Sequence, residues 1–228
     1  MLFKRKKPQE KAAKKAKLGK DLDFASTEAY NLLRTNLSFS LSDKNGAKII
    51  GITSPSPQEG KSTTSLNLGF SIAEAGHKVI VVDADMRRPS LAKMLEKKMS
   101  PGLSNLLVEE VDGAVHEKVL HDNMSVLLSG DIPPNPSELV ASQKMKSLLE
   151  ELSSKYDYII VDLPPVNAVS DPLAISRYID GVILIVRHVV SKRKDVLEAV
   201  RRLKMIDVKV LGFVYNGIYK GKKYRRYR

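Results

Sequence analysis

The sequence contains no cysteine among its 228 residues, which excludes a disulfide scaffold, a zinc–thiolate site and a cysteine nucleophile. It also lacks any uncharged apolar run approaching the roughly 18 residues of a membrane span, and its basic first residues are not followed by the apolar stretch of a secretion signal. A soluble intracellular protein is expected. The histidines at 77, 116, 121 and 188 lack metal-ligand spacing. Acidic residues are scarce at both ends, and that scarcity dominates the charge. Residues 1–20 carry nine basic side chains against the single acid Glu10, and residues 217–228 carry six with no acid. The ends thus hold a net +14 within a chain of +12, which leaves residues 21–216 at −2. A uniformly basic nucleic-acid-binding domain is disfavoured; the pattern is a near-neutral domain with two basic arms.

What is present suits one folded unit. A chain of this length can bury a full core, and 43% hydrophobic residues exclude wholesale disorder. The expected organisation is a basic arm at 1–25, a folded domain at 26–216 and a basic tail at 217–228. A helix is predicted over 26–41, with Tyr30, Leu33, Leu37 and Leu41 on one face and Glu28, Asn31 and Arg34 on the opposite side. Strands are predicted at 48–53, 77–83, 123–128, 156–163, 181–187 and 208–215, with a helix over 62–75 that stops at Gly76. Asn135, Pro136 and Glu138 read as a capped helix start. Alternating strands and helices predict a three-layer, doubly wound α/β fold with a mostly parallel sheet.

The loop at 54–63, SPSPQEGKST, lies between a predicted strand and a predicted helix. That is the setting of a Walker A phosphate loop, in which backbone N–H groups and the helix dipole face an anion. Gln58, Glu59, Gly60, Lys61, Ser62 and Thr63 are the candidate nucleotide contacts, with Lys61 reaching the β/γ-phosphates and the Ser62 hydroxyl meeting Mg²⁺. Pro55 stands where the usual pattern has glycine, so the loop is a deviant one. Two further strands end in acids: Asp83 and Asp85 after VIVV, and Asp162 after YIIV. Ligands of open α/β sheets bind outside such carboxyl ends, and unpaired buried carboxylates are costly. A site for ATP with Mg²⁺ explains all three.

The set SPSPQEGKST, VIVVDADMRRP and YIIVDLPP, with a tyrosine-bearing tail, resembles the bacterial tyrosine kinases of capsule and exopolysaccharide gene clusters, in the cytoplasmic form of Gram-positive bacteria. The resemblance covers roughly residues 26–228 and names the three motifs Walker A, A′ and B. It implies a protein-tyrosine kinase in which Asp83 accepts the proton of the incoming tyrosine. Asp85 supports the metal and the geometry, and Asp162 holds Mg²⁺ through water. It also implies a ring-like homo-oligomer assembled through an N-terminal helix motif of one Glu and two Arg. Glu28 and Arg34 match that motif, whereas its middle Arg is Asn31 here. Further implied partners are the cytosolic tail of a separate transmembrane activator of the polysaccharide co-polymerase type and a phosphotyrosine phosphatase; the expected place is the inner face of the cell membrane. No specific nucleic acid is implied. Arg87 and Arg88 are candidates for phosphate or subunit contacts, and Asn216 for the adenine.

Four of the eight tyrosines fall in the last fourteen residues. Tyr215 belongs to the last predicted strand and is expected in the core or the nucleotide pocket. Tyr219, Tyr224 and Tyr227 sit among Lys, Arg and Gly, and the resemblance makes them autophosphorylation sites, modified in trans. Two other readings compete. Partition or septum-positioning ATPases share the deviant loop, but they carry an extra lysine near its start and 54–59 has none. A nucleic-acid binder would explain the basic arms and leave the aspartates unexplained.

Overall fold

The structure, a computed structural model, describes residues 16–109 and 111–217. Seven strands form one sheet: β1 Lys48–Thr53, β2 Val79–Asp83, β3 Val115–His116, β4 Met124–Leu127, β5 Tyr158–Asp162, β6 Gly181–Arg187 and β7 Val210–Asn216. Eight α-helices accompany it: α1 Phe24–Ser40, α2 Lys61–Glu74, α3 Leu91–Leu95, α4 Leu103–Val108, α5 Pro136–Ala141, α6 Gln143–Lys155, α7 Asp171–Ile175 and α8 Arg193–Met205. The sheet order is β3-β4-β2-β5-β1-β6-β7, with every pair parallel except β3 with β4. The doubly wound fold therefore stands as the sequence predicts, with β3 as an added antiparallel edge. Among the described residues no helix is long and apolar enough to cross a membrane.

Period-two alternation explains why the central strands read as continuous apolar runs. Val79 and Val81 of β2 pack with Leu66, Leu68 and Ile72 of α2 on one face. Ile80 and Val82 pack with Leu149 and Leu152 of α6 on the other. Both faces are covered, so neither set can be polar. Helix α2 lies close to the sheet because Gly69 has no side chain: a Cβ there would stand 2.9 Å from Val81 Cγ2 and 3.1 Å from Met124 Cε. Gly69→Ala is accordingly expected to cost about 1–3 kcal/mol through overpacking. Urea unfolding at constant m-value checks this, and an unchanged midpoint would mean that α2 can sit farther out.

Several local expectations are corrected. Helix α1 starts two residues earlier than predicted, because Asp23 rather than Ser26 caps it, its side chain accepting from Ser26 N–H. Asn135 makes no side-chain cap; its amide donates to Glu138 Oε2 at 2.6 Å instead. The folded part begins before residue 26. Asn67 of α2 accepts from Gly19 N–H at 2.9 Å and donates to Lys17 O at 3.2 Å, clipping this segment onto the helix that follows the phosphate loop. Asn31 and Arg34 do not simply face solvent: Arg34 donates to Ser71 O and Ser71 Oγ, and Ser71 donates to Asn31 Oδ1 at 2.9 Å.

Candidate active site

Register brings the motifs together. In β2 and β5, Asp83 lies opposite Asp162, and in β1 Ile52 lies opposite Asp162 from the other side. The three strand ends are thus adjacent at the carboxyl edge of the sheet, where the loop from β1 turns into α2. Gly60 caps α2 at φ +100°, a left-handed conformation that favours glycine. The exposed N–H groups of the first turn of α2 point into the space above the loop.

A cavity of about 810 Å³ opens there, lined among others by Gln58, Gly60, Lys61, Ser62, Thr63, Asp85 and Arg88. That size suits a nucleotide. Lys61 Nζ stands 3.6 Å from Asp85 Oδ2, and both side chains are less than a tenth exposed. Ser62 Oγ accepts a hydrogen bond from Ser90 Oγ at 2.7 Å. Ser65, one turn along α2 from Lys61, donates to Asp162 Oδ1 at 3.1 Å. Asp162 Oδ2 is buried without a hydrogen-bond partner. An orphaned buried carboxylate oxygen next to a serine hydroxyl fits a magnesium site, since Mg²⁺ takes one or two carboxylates and completes its shell with phosphate oxygens and water. Among the described residues no group of three or more acidic or histidine side chains is arranged to hold a metal ion by itself.

The electrostatics agree. Burial pushes the Asp162 carboxyl up to about 6, against the pull of Lys61 and Ser62. Asp83 is driven well above the usual carboxylate range by burial, then by Asp162 and Asp85. Asp85 is also raised by burial, with Lys61 opposing. Three acids this close cannot all ionise cheaply, so the site calls for added positive charge.

The acids differ in access. Asp83 is fully buried, its oxygens accepting from Asp85 N–H at 3.3 Å and Leu91 N–H at 3.4 Å. Asp85 is the one that lines the cavity, while Asp83 lies beneath it. Arg87 lines the cavity too, yet its guanidinium is committed: it donates to Asp171 at 2.9 and 3.1 Å and to Ser137 at 3.0 Å. Asp171 is fully buried and holds the Arg87 guanidinium above its ordinary range. Glu59 turns its side chain inward, away from the cavity, and Asn216 donates from behind to Glu59 O at 2.9 Å. Tyr215, expected in the core or pocket, is 53% exposed and pairs with His188 at 2.5 Å. Its exposure has a simple cause: β7 is an edge strand, and Tyr215 projects toward a groove shared with α1. Glu28, expected at a subunit interface, accepts from Asn31 at 3.1 Å on the exposed side of α1. Tyr219, Tyr224 and Tyr227 lie outside the described residues.

Ser90, Ser191 and Asp171 carry no sequence signal that marks them as site residues. Ser65 does: it follows Lys61 by four, so helical spacing alone places it on the same face.

Comparisons with known proteins follow the same line. The AAA domain family matches residues 47–202. Tyrosine-protein kinase YwqD of Bacillus subtilis (strain 168) is 36% identical over 197 residues, covering 84% of this chain and 81% of that protein. Putative tyrosine-protein kinase CapB of Staphylococcus aureus is 35% identical over 193 residues, covering 83% of each. Tyrosine-protein kinase ptk of Acinetobacter johnsonii is 36% identical over 202 residues, but the chain spans only 27% of its length. Among solved structures, the kinase domain of Escherichia coli tyrosine kinase ETK superposes with a TM-score of 0.81 at 33% identity, over 86% of this chain and 76% of that one. The chimerical protein CapA2B2 gives 0.79 at 33% identity, over 85% of each. The cell division protein MinD of Aquifex aeolicus gives 0.62 at 25% identity, over 76% of this chain and 70% of that one.

Proposed function

Because this chain belongs to the bacterial tyrosine-protein kinases and carries their AAA domain, we propose that it transfers the γ-phosphoryl group of ATP to tyrosine in the synthesis of capsule or exopolysaccharide. The observation that carries this reading is the convergence of Lys61, Ser62 and Asp85 on one cavity at the strand ends, with Asp162 buried next to them and bonded to Ser65 of the same helix as Lys61 and Ser62. The tyrosine oxygen forms a bond to the γ-phosphorus as the bond to the bridging oxygen of ADP breaks. The tyrosine proton passes to the Asp83–Asp85 pair, in which burial raises the proton affinity of both carboxyls and Asp162 and Asp85 raise that of Asp83 further. Lys61 and the first N–H groups of α2 hold the phosphates and meet the developing charge. Ser62 and Asp162 would hold Mg²⁺, which supplies charge neutralisation between the phosphates when bound.

The preferred acceptors are Tyr219, Tyr224 and Tyr227 of a second copy. The tail leaves from Asn216 at the active-site edge of the sheet, and its residues 217–228 span at most roughly 40 Å at about 3.3 Å each. Each phosphate adds about −1.5 to −2 charge, so three nearly neutralise the six basic side chains of 217–228. Phosphorylation thereby switches the tail from binding to release, and a phosphotyrosine phosphatase resets it. Assembly through Glu28 and Arg34 into a ring belongs to the same reading, though Arg34 is already bonded to Ser71 in the single chain. A transmembrane activator's cytosolic tail brings the kinase to the inner membrane face, where the basic 1–15 segment adds attraction of around 1 kcal/mol per charge to anionic lipid.

Site mapping tests the acceptors. With Mg-ATP and the activator's cytosolic tail, Tyr219→Phe/Tyr224→Phe/Tyr227→Phe should lose most of its phosphotyrosine while retaining ATP binding. Undiminished phosphotyrosine in that variant would place the acceptors elsewhere.

A further inference from the structure

The phosphate loop is held from outside by three side chains from the far edge of the sheet, two on its backbone and one on the Glu59 carboxylate. Arg187 Nη1 donates to Gln58 O at 2.7 Å, Asn216 Nδ2 donates to Glu59 O at 2.9 Å, and Ser191 Oγ donates to Glu59 Oε1 at 2.6 Å. Arg187 and Asn216 are register partners at the ends of β6 and β7. Ser191 is tied to the same place, because its hydroxyl accepts from Arg187 N–H at 2.7 Å. The remaining oxygen of Glu59 accepts from Ser56 N–H at 3.4 Å, so this buried carboxylate links the loop's first half to the turn after β6.

Fit is tight at the loop's apex. A Cβ on Gly60 would come within 2.1 Å of Asn216 Nδ2, so the Asn216 amide closes over the glycine that opens α2. The other end of that amide accepts from Gly217 N–H at 2.8 Å, and Asn216 O accepts from His188 N–H at 2.8 Å. With these bonds made, Asn216 is not on the wall of the nucleotide cavity. Backbone strain sits on both sides of the contact: Gln58 has φ +62° and the β-branched Val189 has φ +64°. Such conformations persist where surrounding bonds fix them.

We propose that the ends of β6 and β7 brace the phosphate loop in its nucleotide-binding shape, with Asn216 and Ser191 as positioning residues, so that nucleotide affinity is coupled to the strand from which residues 218–228 continue. This rests on the nucleotide-binding reading of the loop above. It assigns Asn216 an action through Glu59 and Gly60 rather than through the base. By linkage, whatever pulls on or seats β7 at its end changes ATP affinity, and ATP in turn steadies that end.

The test titrates Mg-ATP and Mg-GTP into the full chain and into Asn216→Ala, Ser191→Ala and Ser191→Thr, with thermal unfolding of each. Each alanine variant should bind both nucleotides about tenfold more weakly, in line with the loss of one or two hydrogen bonds. Ser191→Thr keeps the hydroxyl and should recover the affinity. Amide exchange at 54–60 should speed up in Ser191→Ala, which a merely structural role far from the loop would not produce. Wild-type affinity in both alanine variants would overturn the brace. So would an Asn216→Ala variant that loses ATP but keeps GTP, because that marks a base contact. If Asn216→Ala fails to fold, the Ser191 pair decides alone. A wild-type chain that binds no Mg-ATP would instead overturn the nucleotide reading itself, and the brace with it.

Discussion

Lys61→Met is expected to reduce the rate of tyrosine phosphorylation by about a thousandfold or more while leaving the fold in place. Lys61 is the first residue of α2 and its ammonium group lies 3.6 Å from Asp85 Oδ2, at the mouth of the acid cluster. Removing one charge-stabilising donor from a preorganised site costs about 10²–10³ in rate, and here the same group also serves to bind the phosphates. The fold survives because the left-handed turn at Gly60 and the backbone of α2 do not depend on the side chain. Asp85 loses its ammonium neighbour and keeps Arg88 N–H at 3.1 Å, so its proton affinity rises further. Initial rates by anti-phosphotyrosine signal, alongside circular dichroism, check this. A folded Met variant with more than a tenth of the activity would remove Lys61 from the phosphate-binding role.

Asp162→Asn has the second large effect, and it acts in opposite directions on stability and activity. The Asp162 carboxyl stands at about 6 in the folded chain against an ordinary 3.8. The folded state therefore holds the proton more tightly than the unfolded one. The stability tied to this group is fully present below about pH 4 and is lost as pH rises through about 6. Above that, keeping Asp162 ionised costs on the order of 3 kcal/mol by the conversion of proton affinity to energy. The substitution replaces this carboxylate with a neutral amide of nearly the same shape. The nucleotide-free variant should therefore be more stable than the natural chain at pH 7.5, and its decline in stability between pH 4 and 6 should flatten. Phosphotransfer should fall at least about a hundredfold. Millimolar Mg²⁺ with ATP should stabilise the natural chain more than the variant. Urea unfolding at pH 5 and pH 7.5 with and without Mg-ATP reads all of this. A variant that is less stable than the natural chain at pH 7.5 would show that the acid cluster is held ionised by groups other than the bound ion.

Much of this architecture is local in sequence and therefore legible there. The apolar runs of β2 and β5 announce strands buried on both faces, and each ends in an aspartate whose position follows from the strand end. GKST after a strand announces the loop. What escaped depends on contacts between distant segments. Asn216 and Glu59 are 157 residues apart, and nothing in either neighbourhood says that an asparagine amide will close over Gly60. The burial of Asp83 beneath Asp85 depends on how the turn before α3 folds back, bringing Leu91 N–H to Asp83 Oδ2. The pairing of Arg87 with Asp171 spans 84 residues. The two-residue strand β3 is too short for any periodicity. The hydrogen bonds that anchor Lys17 and Gly19 are made with one asparagine, Asn67, on the buried side of α2, and Leu18 between them packs against the core. Exposure of Tyr215 follows from β7 being the last strand of the sheet, a fact of strand order that the residues of β7 do not carry.

The decisive comparison is between phosphotyrosine formed and phosphate released. The full chain is incubated with Mg-ATP and the activator's cytosolic tail, and both products are followed in the natural chain and in Lys61→Met. A tyrosine kinase should accumulate phosphotyrosine on residues 218–228 of the natural chain and none in the Lys61→Met variant. Phosphate release without phosphotyrosine would contradict the account and make the protein a nucleotide switch rather than a kinase.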